Sequence, residues 1–467
     1  MNRQLAVRSS QLAVGSSNSV SGIRHPASSI CIIIVVLSII IYSISPLYSQ
    51  EILTLPNAIE IGLKNNLSIL LQKNEEEVAR NNNTLGNAGF LPVIGLTGTQ
   101  NNTLYTTHQE QFSGTTRDVY NAYGNSLNAG VQLNWTLFDG LNMFVSKKML
   151  GTLEELGATG TQIVVEEIVS EIILSYYGII QLGKLVQVAR EAVDLSMQRK
   201  RIALAKLSLG SGSQLQLLQS TVDLNADSTS LIRQLNSLAN VKADLNRLLA
   251  REVTTTYSIG DSIRLNLNFS YDTLLQKALK QNVTLIAARL NKEIARLGVR
   301  EAQSNLYPRL ALNAGYNYNM VNASAGFAKF NRNFGPSLGF SLSYNLFNGF
   351  NVWREIENAK TYLNSGEITV KDNEQEIHLS MLKLYNDYLA NLEIVRMQLT
   401  NVEVAKENVN VAFEKYKLGS INDVELREIQ QKQIDAEYQL ILSTFQAKQA
   451  EIGLIRLSGD ILKLVNW

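Results

Sequence analysis

One sequence is present twice in this chain, in the same order and almost the same register. Leu63-Lys64-Asn65-Asn66 returns as Leu279-Lys280-Gln281-Asn282, and Leu91-Pro92 returns as Tyr307-Pro308, both 216 residues further on. Leu137-Phe138-Asp139-Gly140-Leu141-Asn142 returns as Leu346-Phe347-Asn348-Gly349-Phe350-Asn351, now at an offset of 209. The offset stays 209 for Leu209-Gly210-Ser211 against Leu418-Gly419-Ser420 and for Arg247-Leu248 against Arg456-Leu457. A single difference of seven residues, between Pro92 and Gly130, accounts for the change. Similarity held in register over such distances identifies a tandem duplication of one structural unit.

Each unit reads as helix, strand, long loop, strand, long helix, tight turn, long helix. The first helix follows Thr54-Leu55-Pro56 and runs to about Gly89; its counterpart runs from Tyr271-Asp272 to about Leu306. Pro92 and Pro308 close these helices and open strands. The whole chain has six Pro, and none lies between 93 and 307 or after Pro336, which favours long uninterrupted elements. Leu217, Leu224, Leu231, Leu238 and Leu245 fall seven apart, as do Val395, Val402, Val409 and Tyr416, and again Tyr438, Phe445 and Ile452. That period specifies a left-handed supercoil. Gly210 and Gly419 end one helix of each hairpin, and Ser213 and Asn422 are placed to cap the next.

The strands alternate. Leu127, Ala129, Val131, Leu133, Trp135 and Leu137 share one face of 126–137, with polar residues or Gly opposite. Segment 310–319 sets Leu310, Leu312, Ala314, Tyr316 and Tyr318 against Ala311, Asn313, Gly315, Asn317 and Asn319. Segment 337–346 sets Leu338, Phe340, Leu342, Tyr344 and Leu346 against Ser337, Gly339, Ser341, Ser343 and Asn345. The fourth segment, from Val93 to Asn102, is weaker, with only Ile94 and Leu96 marking its apolar side. A soluble sandwich shows the same alternation. Strands of about ten residues, an uncharged polar face and aromatics at the segment ends favour a membrane barrel instead. Four strands cannot close such a barrel, so several copies must share one.

Composition narrows the function. Lys and Arg number 42 against 41 Asp and Glu, which leaves no general basic face for nucleic acid. One Cys and three His exclude a disulfide framework and argue against a structural zinc site. Residues 1–49 carry Arg3, Arg8, Arg24 and His25, no carboxylate, and an apolar run from Ile30 to Ile44. That pattern predicts a signal peptide cut near Ser49–Gln50, an uncleaved anchor being the alternative. Cys31 would leave with it. Gly178 to Lys184 looks like a phosphate loop but ends in Leu185 and lies in a helical pattern with no preceding strand, so helix packing is the better reading. His378 and the runs Glu75–Glu77 and Asp372–Glu376 read as solvated faces. No catalytic, cofactor or metal site is expected.

Duplicated units with two strands each, long helices with Gly turns and an export signal together resemble the TolC-like outer-membrane efflux protein family over about 52–460. The most specific pieces are Phe90-Leu91-Pro92 and Leu306-Tyr307-Pro308 opening strands, the 137–140 and 346–349 motifs closing them, and Tyr416-Lys417-Leu418-Gly419-Ser420 with Asp423-Val424 at a turn. The resemblance implies a mainly α chain with a transmembrane β portion. It implies a homotrimer whose twelve strands form one barrel, continued by a helical tunnel in the periplasm. Its partners would be a periplasmic adaptor (membrane fusion) protein, an inner-membrane efflux or secretion transporter and outer-membrane lipid. The implied organisation is a first repeat at 50–251 (strands about 93–105 and 125–138), a mid-tunnel belt at 252–270, and a second repeat at 271–467 (strands about 309–320 and 336–347). Asn128, Gln132, Asn134, Asn317, Ser341 and Ser343 are expected in the lumen. Leu133, Trp135, Tyr316, Phe340 and Leu342 are expected against lipid. Gly210, Ser211, Gly419, Ser420 and Asp423 are expected at adaptor-facing tips, although the first tip lacks an Asp like Asp423. A soluble periplasmic coiled-coil protein, its strands forming a small sandwich, is the competing reading.

Overall fold

The structure is a computed structural model describing residues 51–466; the expected signal peptide, 1–49 with Cys31, lies outside the described residues. The duplication appears as pairs of elements of matched length. Helices α1 (Leu55–Asn65) and α2 (Leu67–Asn82) lead to strands β1 (Val93–Glu110) and β2 (Thr116–Phe138). Helices α3 (Asn142–Ser208) and α4 (Gln214–Leu248) form the first long hairpin. The second unit repeats this with α5 (Tyr271–Gln281), α6 (Val283–Ser304), β3 (Arg309–Ala323), β4 (Phe330–Ser343), α7 (Asn351–Lys417) and α8 (Asp423–Leu457). Both α3 and α7 have 67 residues, or about 100 Å at 1.5 Å per residue. Both α4 and α8 have 35.

The expected single helix up to Gly89 is broken at Asn66, and its counterpart up to Leu306 at Asn282. Each Asn leaves helical geometry and caps the following helix: Asn66 Oδ1 accepts from Ser68 N (2.9 Å), Asn282 Oδ1 from Leu285 N (3.1 Å). Each amide also crosses to the end of its hairpin. Asn66 Nδ2 donates to Leu248 O (2.8 Å), and Asn282 Nδ2 to Leu457 O (3.1 Å). One side chain therefore satisfies orphan groups at two helix ends. The helices stop at Asn82 and Ser304, short of the expected ends, and turns lead on to the strands.

Two apolar cores sit at the same repeat positions. Ile69, Ile168, Ile172 and Leu245 belong to one, and Leu285, Ile377, Met381 and Leu454 to the other. Among the expected heptads, Leu245, Val402, Val409, Tyr416 and Ile452 are buried, while Leu217 to Leu238 are half-buried and Tyr438 is exposed. Gly178 lies within α3 and faces Phe445 of α8, consistent with close helix packing. His378 is exposed.

Segment 259–270 is irregular and crosses the helices under side-chain control. Asn266 N donates to Glu451 Oε2 (3.2 Å), Lys448 Nζ to Arg264 O (2.9 Å), Tyr385 OH to Phe269 O (3.3 Å) and Tyr388 OH to Asn266 O. Buried Lys448 is neutralised by Glu451 at 2.7 Å.

The four strands form one antiparallel sheet in the order β1-β2-β3-β4. Two strand limits differ from expectation. The supposed long loop after 105 is a continuing ladder, Thr107↔Val119 to Glu110↔Thr116, past an irregularity at Tyr105/Thr107 opposite Asn121, whose φ is 54°. The bulge breaks the alternation from which the strand was read. This arm extends beyond Gly124↔Ala323, the last rung shared with the second unit, and carries the seven extra residues. Strand β4 begins before Pro336, which pairs with Tyr316 on an edge strand where a missing N–H is tolerated. It ends at Ser343 opposite Arg309, because β3 offers no partner beyond.

Replacing Asn66 with Ala should lower unfolding free energy by about 1–2 kcal/mol, the value of a cap plus a buried hydrogen bond. Asn282→Ala should cost a similar amount. Denaturant midpoints followed by helical circular dichroism check both, and unchanged midpoints would contradict the dual role.

Candidate functional site

The sheet is a single layer with two chemically distinct faces. Its register brings Asn128 opposite Asn319, Gln132 opposite Gly315, Asn134 opposite Asn313, Asn317 opposite Gly130 and Gly335, Ser341 opposite Ala311, and Ser343 opposite Arg309. All six expected lumen residues therefore share one face. Side-chain bonds knit that face across strands. Asn313 Nδ2 donates to Ser341 Oγ (3.1 Å), Asn317 Nδ2 to Ser337 Oγ (3.2 Å), Arg309 Nη2 to Thr136 Oγ1 (3.0 Å), and Asn319 Nδ2 to Asn128 Oδ1.

The opposite face gathers most of the expected apolar set: Leu133↔Ala314, Trp135↔Leu312↔Phe340, Val131↔Tyr316 and Leu310↔Leu342; Leu137 is displaced by an irregularity after Thr136 that sets Phe138 opposite Leu310, and Tyr344 and Leu346 lie beyond the strand. Nothing covers it. Leu342 is 72% exposed, Leu338 73% and Leu96 81%. Trp135 marks the helical end of this face, where its indole N–H donates to Phe90 O at 2.9 Å. The outer edges of β1 and β4 carry no strand partner among the described residues. A soluble sandwich would need a second layer over the apolar face, and none exists among the described residues.

At the far end, both hairpins turn through the same device. Gly210 (φ 72°) and Gly419 (φ 76°) take the left-handed conformation, with Ser211 N donating to Lys206 O and Ser420 N to Lys415 O, each at 2.9 Å. Ser213 and Gln216 form a reciprocal capping box on α4, and Asn422 Oδ1 accepts from Glu425 N on α8 (2.8 Å). Gly210, Ser211, Gly419 and Ser420 are exposed.

Asp423 departs from its expected exposed placement. It is buried and accepts from the fully buried Arg199, at 3.2 Å from Nε and 2.8 Å from Nη2. Arg199 Nη2 also meets Asp223 at 3.0 Å. Arg427 forks onto Asp227 (2.8 and 2.9 Å), and Ser196 donates to the same carboxylate. The cluster joins α3, α4 and α8, so it locks the first hairpin to the second just above the tips. Sequence reading missed it because Arg199 has Asn408 at its repeat position. The visible signal was the charge spacing on one helix face, Asp223/Asp227 and Asp423/Arg427, each four apart. Burial opposes the charge of Arg427, yet Asp227, Asp223 and Asp423 outweigh it and raise its pKa. Burial, reinforced by the Asp423 carboxylate, pushes Tyr416 up to about 12. No group of acidic, His or Cys side chains among the described residues is arranged to hold a metal.

The arrangement is one four-stranded antiparallel sheet continued by two long helical hairpins. Residues 274–460 match the outer membrane efflux protein family. The chain is 22% identical over 388 residues to outer membrane protein TolC of Escherichia coli K12, covering 76% of this chain and 75% of that one. In fold it is similar to the outer membrane protein VceC of Vibrio cholerae (TM-score 0.72, 14% identity, 87% of this chain and 96% of that chain). It is also similar to the CmeC outer membrane channel of Campylobacter jejuni (TM-score 0.73, 14% identity, 87% and 85%). The resemblance to outer-membrane efflux proteins read from the repeated motifs is met in both sequence and fold.

Arg199→Met should destabilise the helical hairpins by roughly 3–5 kcal/mol, because it strands the buried Asp423 carboxylate and the half-buried Asp223. Equilibrium unfolding checks this, and Asp423→Asn in the same chain should recover part of the loss. Tyr416 contributes stability that is complete below its unfolded pKa, near 10, and is lost as pH rises toward about 12. Tyr416→Phe should therefore flatten the alkaline limb of a stability–pH curve between those limits.

Proposed function

We propose that three copies of this chain form one twelve-stranded outer-membrane barrel, continued into the periplasm by their helical hairpins. It works as a passive duct for drugs, small molecules or proteins. An inner-membrane efflux or secretion transporter drives the cargo, and a periplasmic adaptor joins that transporter to the tips at Gly210-Ser211 and Gly419-Ser420. The observation that carries this reading is the sheet: one uncovered apolar face, one polar face, and two free edges. In hydrocarbon each unpaired backbone group costs several kcal/mol, so the free edge of β1 must find β4 of another copy. The rows from Arg332 to Leu342 span about ten residues, the length a tilted strand needs to cross a bilayer.

Within the barrel, Asn128, Gln132, Asn134, Asn317, Ser341 and Ser343 face water, and Leu133, Trp135, Tyr316, Phe340 and Leu342 face lipid. Trp135 lies at the periplasmic boundary, where amphipathic rings are favoured. Selectivity follows from pore width and lining polarity. No helix among the described residues is long and apolar enough to cross a membrane, so in this reading the strands carry the whole span.

Substituting Arg for Leu133 or Leu342 should hinder insertion by roughly 2–4 kcal/mol if the site is mid-bilayer. Outer-membrane fractions should then hold less heat-sensitive trimer, and an unaltered yield would contradict the placement. The unsubstituted protein should show trimeric mass in detergent and single-channel conductance in planar bilayers.

A further inference from the structure

A groove of about 740 Å³ lies where the sheet meets the helices, between the start of α3, the end of α6 and the start of α7. Its wall is apolar at Leu141, Phe144 and Trp353 and cationic at Lys148, Arg300 and Lys360. No carboxylate lines it. Lys148 is 3.3 Å from Glu293 and Lys360 is 2.7 Å from Glu357, both at exposed positions. Arg300 is exposed and has no hydrogen-bond or ion-pair partner among the described residues.

Contacts place this groove on the apolar side of the wall. Trp135, on the apolar face, donates to Phe90 O, and the Phe90 ring meets Phe144 edge-on at 5.0 Å. The groove therefore opens just beyond Leu310↔Leu342, the last apolar rung of the sheet. Phe144 is 59% exposed and Trp353 60%, and the two occupy the same position of the two repeats.

The cations do not repeat. At the positions equivalent to Lys148, Arg300 and Lys360 stand Glu357, Thr84 and Gly151. At the repeat positions the aromatic pair is therefore kept and all three positive charges are lost.

We infer that this groove binds the phosphate of a glycerophospholipid in the periplasmic leaflet, one per protomer, with its acyl chains rising against the apolar face of the sheet. An unpartnered guanidinium beside exposed aromatics at the edge of an apolar band is suited to that ligand. The planar fork of Arg300 matches phosphate oxygens, the Lys148 and Lys360 ammonium groups, each shared with a glutamate, stand ready as further donors, and the Trp ring sits at headgroup level. Lipid accounts for the arrangement better than a free anion, because half the groove wall is apolar and exposed.

The inference rests on the barrel reading, and one experiment separates the two. Purified trimer, stripped of lipid in detergent, is titrated with dioleoyl-phosphatidylglycerol and followed by native mass spectrometry, with inorganic phosphate in a parallel arm. Three lipids per trimer should add at low concentration and further copies only at much higher concentration. The double variant Arg300→Gln/Lys148→Gln should bind at least tenfold more weakly, and Lys432→Gln, on the distant hairpin, should bind normally. Unchanged retention by the double variant, six equally tight lipids, or displacement by equimolar inorganic phosphate would overturn the site while leaving the trimer intact. A chain that stays monomeric without detergent would instead overturn the barrel reading, and the lipid site with it. Trimer mass of the double variant shows that it has folded, and Arg300→Lys should restore part of the binding.

Discussion

The backbone of the sheet's two outer strands sets the terms for everything else. Strands β1 and β4 each leave a row of N–H and C=O groups along one side without a strand partner among the described residues. Water can satisfy such groups, but water does not explain why Leu96, Leu338 and Leu342 crowd the adjoining face uncovered. Lipid explains the side chains but cannot satisfy the backbone. Only the opposite edge of another copy resolves both demands. In this account trimer formation is a consequence of hydrogen bonding, and channel function is a consequence of the trimer.

Duplication makes that solution economical. Matched helices of 67 and 35 residues give two hairpins of equal reach, and paired asparagines, Asn66 and Asn282, fasten each hairpin to the helix leading into its own strands. The halves are not interchangeable, however. A buried charge cluster, centred on Arg199 and Asp423, crosses between them near the tips. Charges around Arg300 distinguish their junctions with the sheet, and the first β-hairpin alone carries a projecting arm. Copies of one unit supply the scaffold, and departures from the copy supply whatever is specific to this protein.

What the sequence disclosed follows the same division. Period-two alternation sorted Leu133 and Leu342 from Gln132 and Ser341, because each face of a strand meets one medium throughout. Glycine turns and caps at Gly210, Ser213, Gly419 and Asn422 were legible because their geometry is local. The break at Asn66 was hidden, since an Asn inside a helical pattern signals a cap only once its partner Leu248, 182 residues away, is known. The arm beyond Tyr105 was hidden because a bulge shifts the phase of alternation. Asp423 was read as a surface residue, since nothing nearby in sequence reveals that Arg199 arrives from another helix. Long-range, unrepeated contacts are where pattern reading failed.

The claim that β1 of one copy pairs with β4 of the next is open to a direct chemical measurement. In a Cys31→Ser background, one cysteine is placed in β1 between Val93 and Gln100 and one in β4 between Ser337 and Ser343, scanned over register, and membranes are oxidised before denaturing electrophoresis. The account predicts covalent dimers and trimers at one register and its neighbours, with no ladder beyond three. Monomers at every register, in chains shown to be folded, would contradict it.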